Sequence, residues 1–359
     1  MTPDDLRSVH EGEILLGRRR RFIEITAGLR VLQGASALIT GAGGSVGSAL
    51  ARRLGTLGVA QITAVDHHEA SLFRLGRDTA GSAPIALRLA DVRNVDKMAR
   101  ILREYRPTAV FHLAAYKHVP IGEQEPDEVM TVNVQATAEL LRAASSAGVD
   151  HFVYPSSDKA VNPPSLYGAS KRLAESAVLA RAMDSSAMAV HVVRYVNILG
   201  TNGSVIETFA RQIREGLPLT LTDAHMTRYW MTMDEAIDMV IHALALSSGS
   251  CTMLDVGEPI PVREMAVRVA RLVAPELDTP PTMVETGPRP GERLAEELFS
   301  RSERPLGREL DDVWEIAHAR RAECSGRIRA MLDELERLIA EAPPDCLRTR
   351  AMELAAELQ

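Results

Sequence analysis

The stretch of residues 35–66 constrains the fold more than any other part of the chain. An apolar run, ASALIT, leads directly into TGAGGSVGS, where Gly41, Gly44 and Gly47 give the spacing G-x-x-G-x-x-G. Such a turn needs glycine where a β-carbon would clash and where the backbone approaches a pyrophosphate. A helix that begins near Ser45 offers free N–H groups and the positive end of its dipole to that anion. A second strand follows this helix, so the pattern predicts a dinucleotide-binding βαβ unit.

The end of the second strand indicates which dinucleotide is bound. Asp66 lies about 20 residues beyond the glycines, where a carboxylate accepts a hydrogen bond from a ribose 2′-hydroxyl, as in NAD-binding proteins. The third strand leads to Asp91 and Val92, which are predicted to contact the adenine edge. The cofactor residues predicted from this part of the chain are Gly41, Gly44, Ser45, Val46, Gly47, Asp66, Asp91, Val92, Ala114 and Ala115.

The strand pattern continues beyond this unit. Apolar strands at 85–89, 109–113, 151–154 and 190–193 alternate with helical patterns such as 127–147. This alternation predicts an α/β fold with a doubly wound parallel Rossmann sheet, a smaller mixed α/β substrate lobe and C-terminal helices. The expected divisions are a leader at 1–33, an NAD-binding Rossmann domain at 34–200, a substrate-binding lobe mostly at 201–300 and a C-terminal helical extension at 301–359.

The composition excludes several classes of protein. The formal charge of -7 argues against nucleic-acid binding as the main function. The three cysteines, Cys251, Cys324 and Cys346, form neither a disulfide framework nor a zinc pattern, so no metal site is predicted. No apolar run approaches the ~18 residues of a membrane span, and the N-terminus is too acidic for a signal peptide. We therefore expect a cytoplasmic protein without a membrane span.

Two segments outside the Rossmann pattern suggest contacts. The run from Arg18 to Arg21 is typical of a membrane-surface or phosphate patch, but a solvated helix end or an oligomer contact is the commoner outcome. A C-terminal helix carries an apolar stripe that we interpret as core or as a subunit contact, and Pro343-Pro344 ends it. This stripe, at 328–339, and the leader at 14–21, which contains the arginine run, together predict a homo-oligomer. The stripe consists of Ile328, Met331, Leu332, Leu335, Leu338 and Ile339.

The segment YPSSDKAVNPPSLYGASK, residues 154–171, contains the candidate catalytic groups. Tyr167 and Lys171 are four residues apart and share a helix face, where the lysine would lower the pKa of the phenol and anchor a ribose. Asp158 and Lys159 are an adjacent acid and base at the end of an apolar strand, where ligands bind in parallel sheets. The alternative for this second pair is a solvated ion pair at a strand terminus.

Two arginines are candidates for binding a diphosphate. Arg228 lies in HMTRYWMT and Arg289 in GPRPGE, and arginine forks match phosphate oxygens. For each of them alone, a surface salt bridge is the more common outcome.

Several motifs together resemble one family. They are TGAGGSVGS, AAYKHVP, SSDKAVNPPSLYGASKR, VRYVNILG, RYWMT and RPGERLAEEL. They are similar to the extended short-chain dehydrogenase/reductases that act as nucleotide-sugar 4,6-dehydratases, in the polysaccharide-biosynthesis branch acting on UDP-N-acetylglucosamine. The resemblance runs from LLGR into the C-terminal helices. Larger members carry membrane helices before LLGR, and this chain looks like their soluble catalytic part.

The resemblance implies a role for each residue of the central segment. Tyr167 would accept the proton of the sugar 4-hydroxyl while carbon 4 gives hydride to NAD, and Lys171 would hold the nicotinamide ribose. Lys159 would remove the proton at carbon 5, Asp158 would protonate the departing 6-hydroxyl, and Ser157 would hydrogen-bond the 4-hydroxyl. To act as a base, Lys159 must be neutral, so its pKa is expected to be lowered by burial or by the cofactor.

The resemblance also implies a substrate site around these groups. Lys117 would contact cofactor and substrate, and the substrate set is Lys117, His118, Asn197, Arg228, Arg289 and Glu292. Three residues depart from the family pattern: Ser157 replaces the usual Thr, Val196 a Gly and Glu207 a Pro. The last two leave open another nucleotide or hexose.

Two other functions fit the same motifs. A nucleotide-sugar 4-epimerase needs Tyr167 and the cofactor but no acid–base pair for loss of water. A cofactor-binding regulator or scaffold would need no catalytic residues at all, and the presence of Tyr167, Lys171, Asp158 and Lys159 argues against it.

The protein is expected to bind NAD more tightly than NADP. The carboxylate of Asp66 would repel a 2′-phosphate, and the three residues after it, His67, His68 and Glu69, include no Arg or Lys to neutralise one. Calorimetric titration of the purified protein with both dinucleotides measures the difference. Equal affinities would show that Asp66 does not have this role.

Overall fold

The computed structural model describes residues 9–79, 81, 84–183, 187–277, 279, 281–307, 311–318 and 325–359. Cys324 lies outside these residues, and Cys251 and Cys346 within them are free thiols. No helix in the described ranges is long and apolar enough to cross a membrane.

The strands of the described residues, in chain order, are β1 (Ser36–Thr40), β2 (Gln61–Asp66), β3 (Ile85–Leu89), β4 (Ala109–His112), β5 (His151–Ser157), β6 (Ala189–Tyr195), β7 (Asn197–Ile198), β8 (Leu219–Leu221), β9 (Thr227–Arg228), β10 (Trp230–Met231), β11 (Ser250–Leu254), β12 (Ile260–Pro261), β13 (Met283–Glu285), β14 (Glu303–Gly307) and β15 (Val313–His318).

The helices are α1 (Val9–Leu16), α2 (Thr26–Leu32), α3 (Ser45–Gly55), α4 (Glu69–Asp78), α5 (Val95–Tyr105), α6 (Val119–Gln124), α7 (Pro126–Met130), α8 (Ala136–Ser146), α9 (Leu166–Arg181), α10 (Val205–Arg214), α11 (Met233–Ala243), α12 (Val262–Val273), α13 (Ser325–Glu341) and α14 (Pro344–Ala356). A π-helical turn spans Thr131–Gln135 and a 3-10 turn spans Asp158–Ala160.

A large sheet organises the molecule. Among the described residues it has nine strands in the order β3-β2-β1-β4-β5-β6-β11-β15-β14. The seven strands from β3 to β11 are parallel, and β15 and β14 are antiparallel additions at one edge. Helices α2, α3 and α11 pack together, and α5, α8 and α9 form a second packed group. The predicted α/β fold with a doubly wound, mainly parallel Rossmann sheet is confirmed.

The domain boundaries expected from the sequence at residues 200 and 301 do not match the structure. The strand at 250–254 lies beside β6, and the hairpin of β14 and β15 follows it, so the boundary at residue 200 divides the sheet. The segment from 301 likewise begins with sheet strands before its two helices. The smaller lobe is built mainly from α10, α12 and the short strands β8 and β13, which share one apolar cluster.

The N-terminal segment is packed within the chain. Leu15 is fully buried in the core of the smaller lobe, and Leu32 is fully buried in the core of the main sheet. Arg268 donates a hydrogen bond from Nη1 to the Leu15 carbonyl at 2.6 Å. The described part of this segment, residues 9–33, therefore joins the two cores and is not a separate leader.

The arginine run at 18–21 forms ion pairs inside the molecule. Both terminal nitrogens of Arg18 donate to the buried carboxylate of Glu235, at 2.6 and 3.1 Å. Arg20 pairs with Asp238 on the same helix, α11. These pairs explain the charge pattern without a membrane-surface or phosphate patch.

The C-terminal stripe is also largely covered by its own chain. Ile328, Met331 and Leu335 are buried against α9 and α14, and the other three stripe residues pack at the margin of the same cluster. The two segments that suggested an oligomer are thus explained by contacts within one chain, and they carry no argument for a second copy.

Four buried charged residues connect α9, β6 and β14. Arg194 donates to Glu175 at 3.0 Å and to Glu303 at 2.8 Å, and Arg172 lies 2.9 Å from Glu303 and 3.2 Å from Glu175. All four side chains are at most 4% exposed. Burial alone would raise the pKa of Glu303, but the hydrogen bond and charge of Arg194 and the charge of Arg172 hold it below its usual range. Two cations and two anions balance in this group.

Substitution of Glu303 should destabilise the protein strongly. Glu303→Gln leaves two buried guanidinium groups sharing one carboxylate, and breaking a buried pair costs about 3–5 kcal/mol. Because the folded pKa of Glu303 is lowered, its contribution is present at neutral pH and is lost as the pH falls below the usual carboxyl range of about 4. Urea denaturation at pH 7 and at low pH measures this difference.

The neighbouring exposed residue gives the control. Arg304→Ala changes a charge on the same strand and should shift the free energy of unfolding by no more than about 0.5 kcal/mol. If Glu303→Gln were as small in its effect, the four-residue group would not stabilise the fold.

Candidate functional site

A cleft lies at the carboxyl ends of the parallel strands, beside the glycine-rich turn. Its volume is about 280 Å³, and its lining includes residues from the ends of β1, β2, β3 and β4. Gly41 has a φ of +65°, and a β-carbon there would come within 2.7 Å of the Ala114 backbone nitrogen. A β-carbon on Gly47 would lie 2.2 Å from the Gly41 carbonyl oxygen. Glycine is therefore required for the close packing of the turn against β4 and α3.

Helix α3 begins beside this cleft, which its N-cap residue lines. Gly44 is its N-cap, and the helix begins at Ser45 as the sequence predicts. Ser45 Oγ accepts a hydrogen bond of 3.0 Å from the Asn202 backbone N–H, which brings the 200–204 segment over the turn. Val46 and Gly47 lie in this first turn, with Gly47 buried.

Asp66 is fixed at the edge of the cleft. Its side chain is 8% exposed and accepts hydrogen bonds from the backbone N–H groups of Gly43 at 2.8 Å and His68 at 2.9 Å. Two backbone donors thus hold the carboxylate, and each oxygen retains a lone pair for a ligand hydroxyl.

The other predicted cofactor residues are distributed along the same cleft. Asp91, Val92, Ala114 and Ala115 line it together with the turn glycines Gly41 and Gly44. A hydrogen bond from Arg93 holds the pKa of Asp91 below its usual range.

The candidate catalytic pair follows β5 directly. Ser157 Oγ donates to Asp158 Oδ1 at 2.9 Å, and Lys159 Nζ lies 3.1 Å from the same oxygen. Lys159 also reaches Asn197 Oδ1 at 3.4 Å and Glu296 Oε1 at 3.5 Å. Asp158 Oδ2 is buried and has no hydrogen-bond partner among the described residues. The pair is therefore enclosed and in contact, and the alternative of a solvated ion pair is wrong.

Helix α9 presents the tyrosine and the second lysine. Ser165 Oγ accepts from the Gly168 N–H at 3.2 Å and starts the helix, which places Tyr167 in its first turn. One turn later, Lys171 donates to the Pro155 carbonyl at 2.9 Å and lies 4.7 Å from the centre of the Tyr154 ring. Burial lowers the pKa of Lys171 to about 8.

The expected effect of Lys171 on Tyr167 is wrong. Burial raises the pKa of Tyr167 above its usual value, while the charge of Lys159 and a hydrogen bond with Ser157 lower it without outweighing burial. The cation that acts on the phenol is therefore Lys159, because Lys171 is directed at the backbone of β5.

The expected lowering of the Lys159 pKa is also wrong. Burial does lower it, as expected, but the carboxylates of Asp158 and Glu296 outweigh burial and raise the pKa above its usual value. The sequence placed one of these carboxylates beside the lysine and gave no sign of the other.

The two candidate arginines have different environments. Arg228 is buried, lies 3.5 Å from Glu296 through Nε and donates to the Arg293 carbonyl at 2.9 Å. It therefore ties the 289–298 segment to the site. Arg289 is exposed, and its backbone N–H lies 3.4 Å from the carboxylate of Glu292.

Lys117 and His118 lie at the other side of the 200–204 segment. Lys117 Nζ donates to the Asn202 carbonyl at 2.7 Å, and the His118 ring lies against Gly203. They sit beside the cleft, and the next residue, Val119, lies close to Gly291, two residues from Arg289.

Sequence reasoning missed four residues at the site. Gly43 was visible as the first glycine of the GG pair, and Asn202 as a residue between two glycines, Gly200 and Gly203. Asn133, in the π-helical turn, donates to the Tyr116 carbonyl and to Ser170 Oγ, both at 2.9 Å, and so braces α9. Glu296 stands in the quoted RPGERLAEEL, but its approach to Lys159 requires the folded chain.

The chain has a Rossmann sheet with a glycine-rich turn, a buried acid–base pair, and a helix that carries Tyr167 and Lys171. These features are those of a dinucleotide-binding Rossmann protein. The chain belongs to the family described as polysaccharide biosynthesis protein, whose model matches residues 37–318. It is 37% identical over 307 residues to the probable polysaccharide biosynthesis protein EpsC of Bacillus subtilis, which is 84% of this chain and 51% of that protein. The chain spans about half the length of EpsC and of the capsular polysaccharide biosynthesis protein CapD of Staphylococcus aureus.

Relatives in two enzyme classes are also similar to the chain. A UDP-glucose 4-epimerase of Rickettsia rickettsii is 31% identical over 288 residues, 78% of this chain and 82% of the relative. A UDP-N-acetylglucosamine 4,6-dehydratase (inverting) of Campylobacter jejuni is 28% identical over 232 residues, 64% of this chain and 66% of the relative. The chain is thus homologous to nucleotide-sugar dehydratases and epimerases.

Solved structures share the fold. Pen from Bacillus thuringiensis superposes with a TM-score of 0.73 at 26% identity, covering 85% of this chain and 98% of that chain. DesIV, a dTDP-glucose 4,6-dehydratase from Streptomyces venezuelae solved with NAD and TYD bound, gives a TM-score of 0.62 at 23% identity, covering 74% and 88%.

Proposed function

We propose that the protein is an NAD-dependent nucleotide-sugar 4,6-dehydratase, with UDP-N-acetylglucosamine as the first substrate to test. The observation that carries the proposal is the buried contact between Asp158 and Lys159 at the end of β5, on the same side of the sheet as Tyr167. Oxidation at carbon 4 needs only one base, whereas loss of water needs a second base and an acid. The pair supplies both groups.

The cleft supports NAD as the cofactor. The turn leaves no room for a β-carbon at Gly41, the first turn of α3 offers backbone N–H groups to a pyrophosphate, and Asp66 offers a fixed acceptor to a ribose hydroxyl. When bound, NAD accepts a hydride from the sugar and returns it. Lys171 would hold the nicotinamide ribose.

The chain's own residues would carry the proton transfers. Tyr167 would take the proton of the 4-hydroxyl, with Ser157 hydrogen-bonded to the same oxygen. The ketone makes the proton on carbon 5 acidic, and Lys159 would remove it. Asp158, with its unpartnered Oδ2, would give a proton to the departing 6-hydroxyl. Asn197, 3.4 Å from the Lys159 amine, would contact the nucleotide sugar and orient both.

The remaining predicted contacts belong to the same proposal. Lys117 and His118 would approach the substrate beside the 200–204 segment, and Arg228 and Arg289 would bind the diphosphate, with Glu292 beside Arg289. Arg228 would have to exchange its present carbonyl contacts for phosphate oxygens.

Substrate identity and assembly are also proposals. Val196 is buried, and Glu207 accepts a hydrogen bond from the Gly203 N–H. Because both residues depart from the family pattern, a substrate with another nucleotide or hexose is an alternative to UDP-N-acetylglucosamine. A cytoplasmic homo-oligomer is likewise a prediction, and light scattering at micromolar concentration tests its assembly.

A 4-epimerase is the second candidate, and the Rickettsia relative supports it. An epimerase would return the hydride to carbon 4 and would have no use for a buried acid beside Lys159. Mass spectrometry of the product from UDP-N-acetylglucosamine separates the two activities, because dehydration removes water and epimerisation leaves the mass unchanged.

Two substitutions test which residue acts in oxidation at carbon 4 and which acts in loss of water. Lys159→Ala should slow loss of water by ~10²–10⁴-fold, the usual contribution of a positioned base, but should still reduce bound NAD. Tyr167→Phe should abolish both steps, because without the ketone the proton on carbon 5 is not acidic. Rapid mixing, followed by the absorbance of reduced nicotinamide and by mass spectrometry, records the two steps separately.

Lys97→Ala is the matched control, since Lys97 lies in α5 and is not among the residues that line the cleft, and its loss should leave both steps unchanged. Near-wild-type dehydration by Lys159→Ala would show that another base takes the proton from carbon 5. Normal cofactor reduction by Tyr167→Phe would show that another group takes the proton of the 4-hydroxyl, and either result would contradict the assignment.

A further inference from the structure

Three oxygen atoms surround the amine of Lys159. Nζ lies 3.1 Å from Asp158 Oδ1, 3.4 Å from Asn197 Oδ1 and 3.5 Å from Glu296 Oε1. A lysine ammonium has three N–H donors, so each donor has one oxygen within reach. A neutral amine keeps only two N–H groups, one fewer than the oxygens around it. The surroundings therefore suit the charged form of the side chain.

Glu296 reaches this amine from outside the parallel sheet. Its side chain is 5% exposed and lies between two cations, 3.5 Å from Lys159 and 3.5 Å from Arg228. Arg228 also donates to the carbonyls of Arg293 and Leu294, which fixes the position of the segment that carries Glu296. The carboxylate of Glu296 is therefore held at a fixed position in the site. The reaction proposed above gives it no role.

We propose that Glu296 is a positioning residue that holds the Lys159 ammonium against Asp158, so that Lys159 stores the proton which elimination delivers to the leaving hydroxyl. This inference rests on the proposed dehydratase function. In the resting site Lys159 carries the extra proton and Asp158 is a carboxylate. Transfer of one proton from Nζ to the Asp158 carboxylate gives a neutral amine and a carboxylic acid, the two forms that elimination needs.

The elimination step then balances within the pair. The amine takes the proton from carbon 5, and the electron pair of that bond becomes the double bond between carbons 5 and 6. The bond from carbon 6 to oxygen breaks as Asp158 gives its proton to the hydroxyl, which leaves as water. Lys159 is again an ammonium and Asp158 again a carboxylate. No other proton donor is required.

Four titratable groups act on the amine, and one of them can be changed selectively. Burial lowers the pKa of Lys159, Asp158, Glu296 and Tyr167 raise it, and Arg228 lowers it. Asp158 and Tyr167 belong to the proposed chemistry, and Arg228 to the proposed diphosphate site. Glu296 is therefore the group whose neutralisation tests the idea with the least disturbance.

The chain has four lysines, Lys97, Lys117, Lys159 and Lys171, so each can be followed separately. Acetic anhydride reacts with the neutral amine, and brief labelling at fixed pH followed by peptide mass spectrometry gives a rate for each lysine. Glu296→Gln should raise the rate at Lys159 about tenfold relative to Lys97, because loss of a nearby opposite charge lowers a lysine pKa by about one unit or more. Glu296→Asp restores a carboxylate and should return the rate toward that of the wild type.

The adjacent carboxylate provides the control. Glu297 bonds to Asn162 and Arg293 and not to Lys159, so Glu297→Gln should leave the labelling of Lys159 unchanged. Lys171, buried nearby, reports any general opening of the site. Unchanged labelling of Lys159 in Glu296→Gln, or an equal rise at Lys171, would overturn the proposal.

Labelling needs no substrate, so it decides the role of Glu296 separately from the proposed function. A wild-type protein that removes water from no nucleotide sugar would refute the dehydratase, whereas the labelling ratio would still show whether Glu296 holds the Lys159 ammonium.

Discussion

The site depends on the buried group of Arg172, Glu175, Arg194 and Glu303, because these four charges fix α9 against the sheet. Each charge is removed from water, and only its partners offset that cost. The helix that they fix carries Tyr167 and Lys171, and the strand next to β5 carries Arg194. The geometry between the tyrosine and the Asp158–Lys159 pair therefore depends on a buried charged group in which Glu175 lies one helical turn from Lys171.

The parts of the fold that rest on local chemistry could be predicted from the sequence. Gly41 and Gly47 are required by close backbone contacts within a few residues or across one strand, and the glycine spacing records that requirement directly. Asp66 and Asp158 were placed correctly because parallel strands end at one edge of the sheet. The same reasoning failed after residue 200, where the strand at 250–254 returns to the sheet although its neighbours in sequence form the smaller lobe.

The electrostatics of the site could not be predicted in the same way. The pKa of Lys159 depends on Glu296, which stands far along the chain and reaches the amine only because Arg228 holds its segment. The direction of Lys171 depends on the Pro155 carbonyl of β5, which accepts its hydrogen bond only in the folded chain. A sequence motif shows which ionisable groups are present. Their charges depend on their distances from groups elsewhere in the chain, which only the folded structure gives. The arginine run at 18–21 shows the same limit, since its partners lie in α11.

The contact between Asp158 and Lys159 matters most if the site removes water from its substrate by taking a proton from carbon 5. The most direct measurement is incubation of the wild-type protein with UDP-N-acetylglucosamine in deuterium oxide, with the product analysed by mass spectrometry and NMR. We expect a product that has lost water and carries one deuterium at carbon 5, because the proton that Lys159 removes exchanges with solvent before carbon 5 is protonated again. A product that retains its oxygen and carries no deuterium at carbon 5 would contradict it.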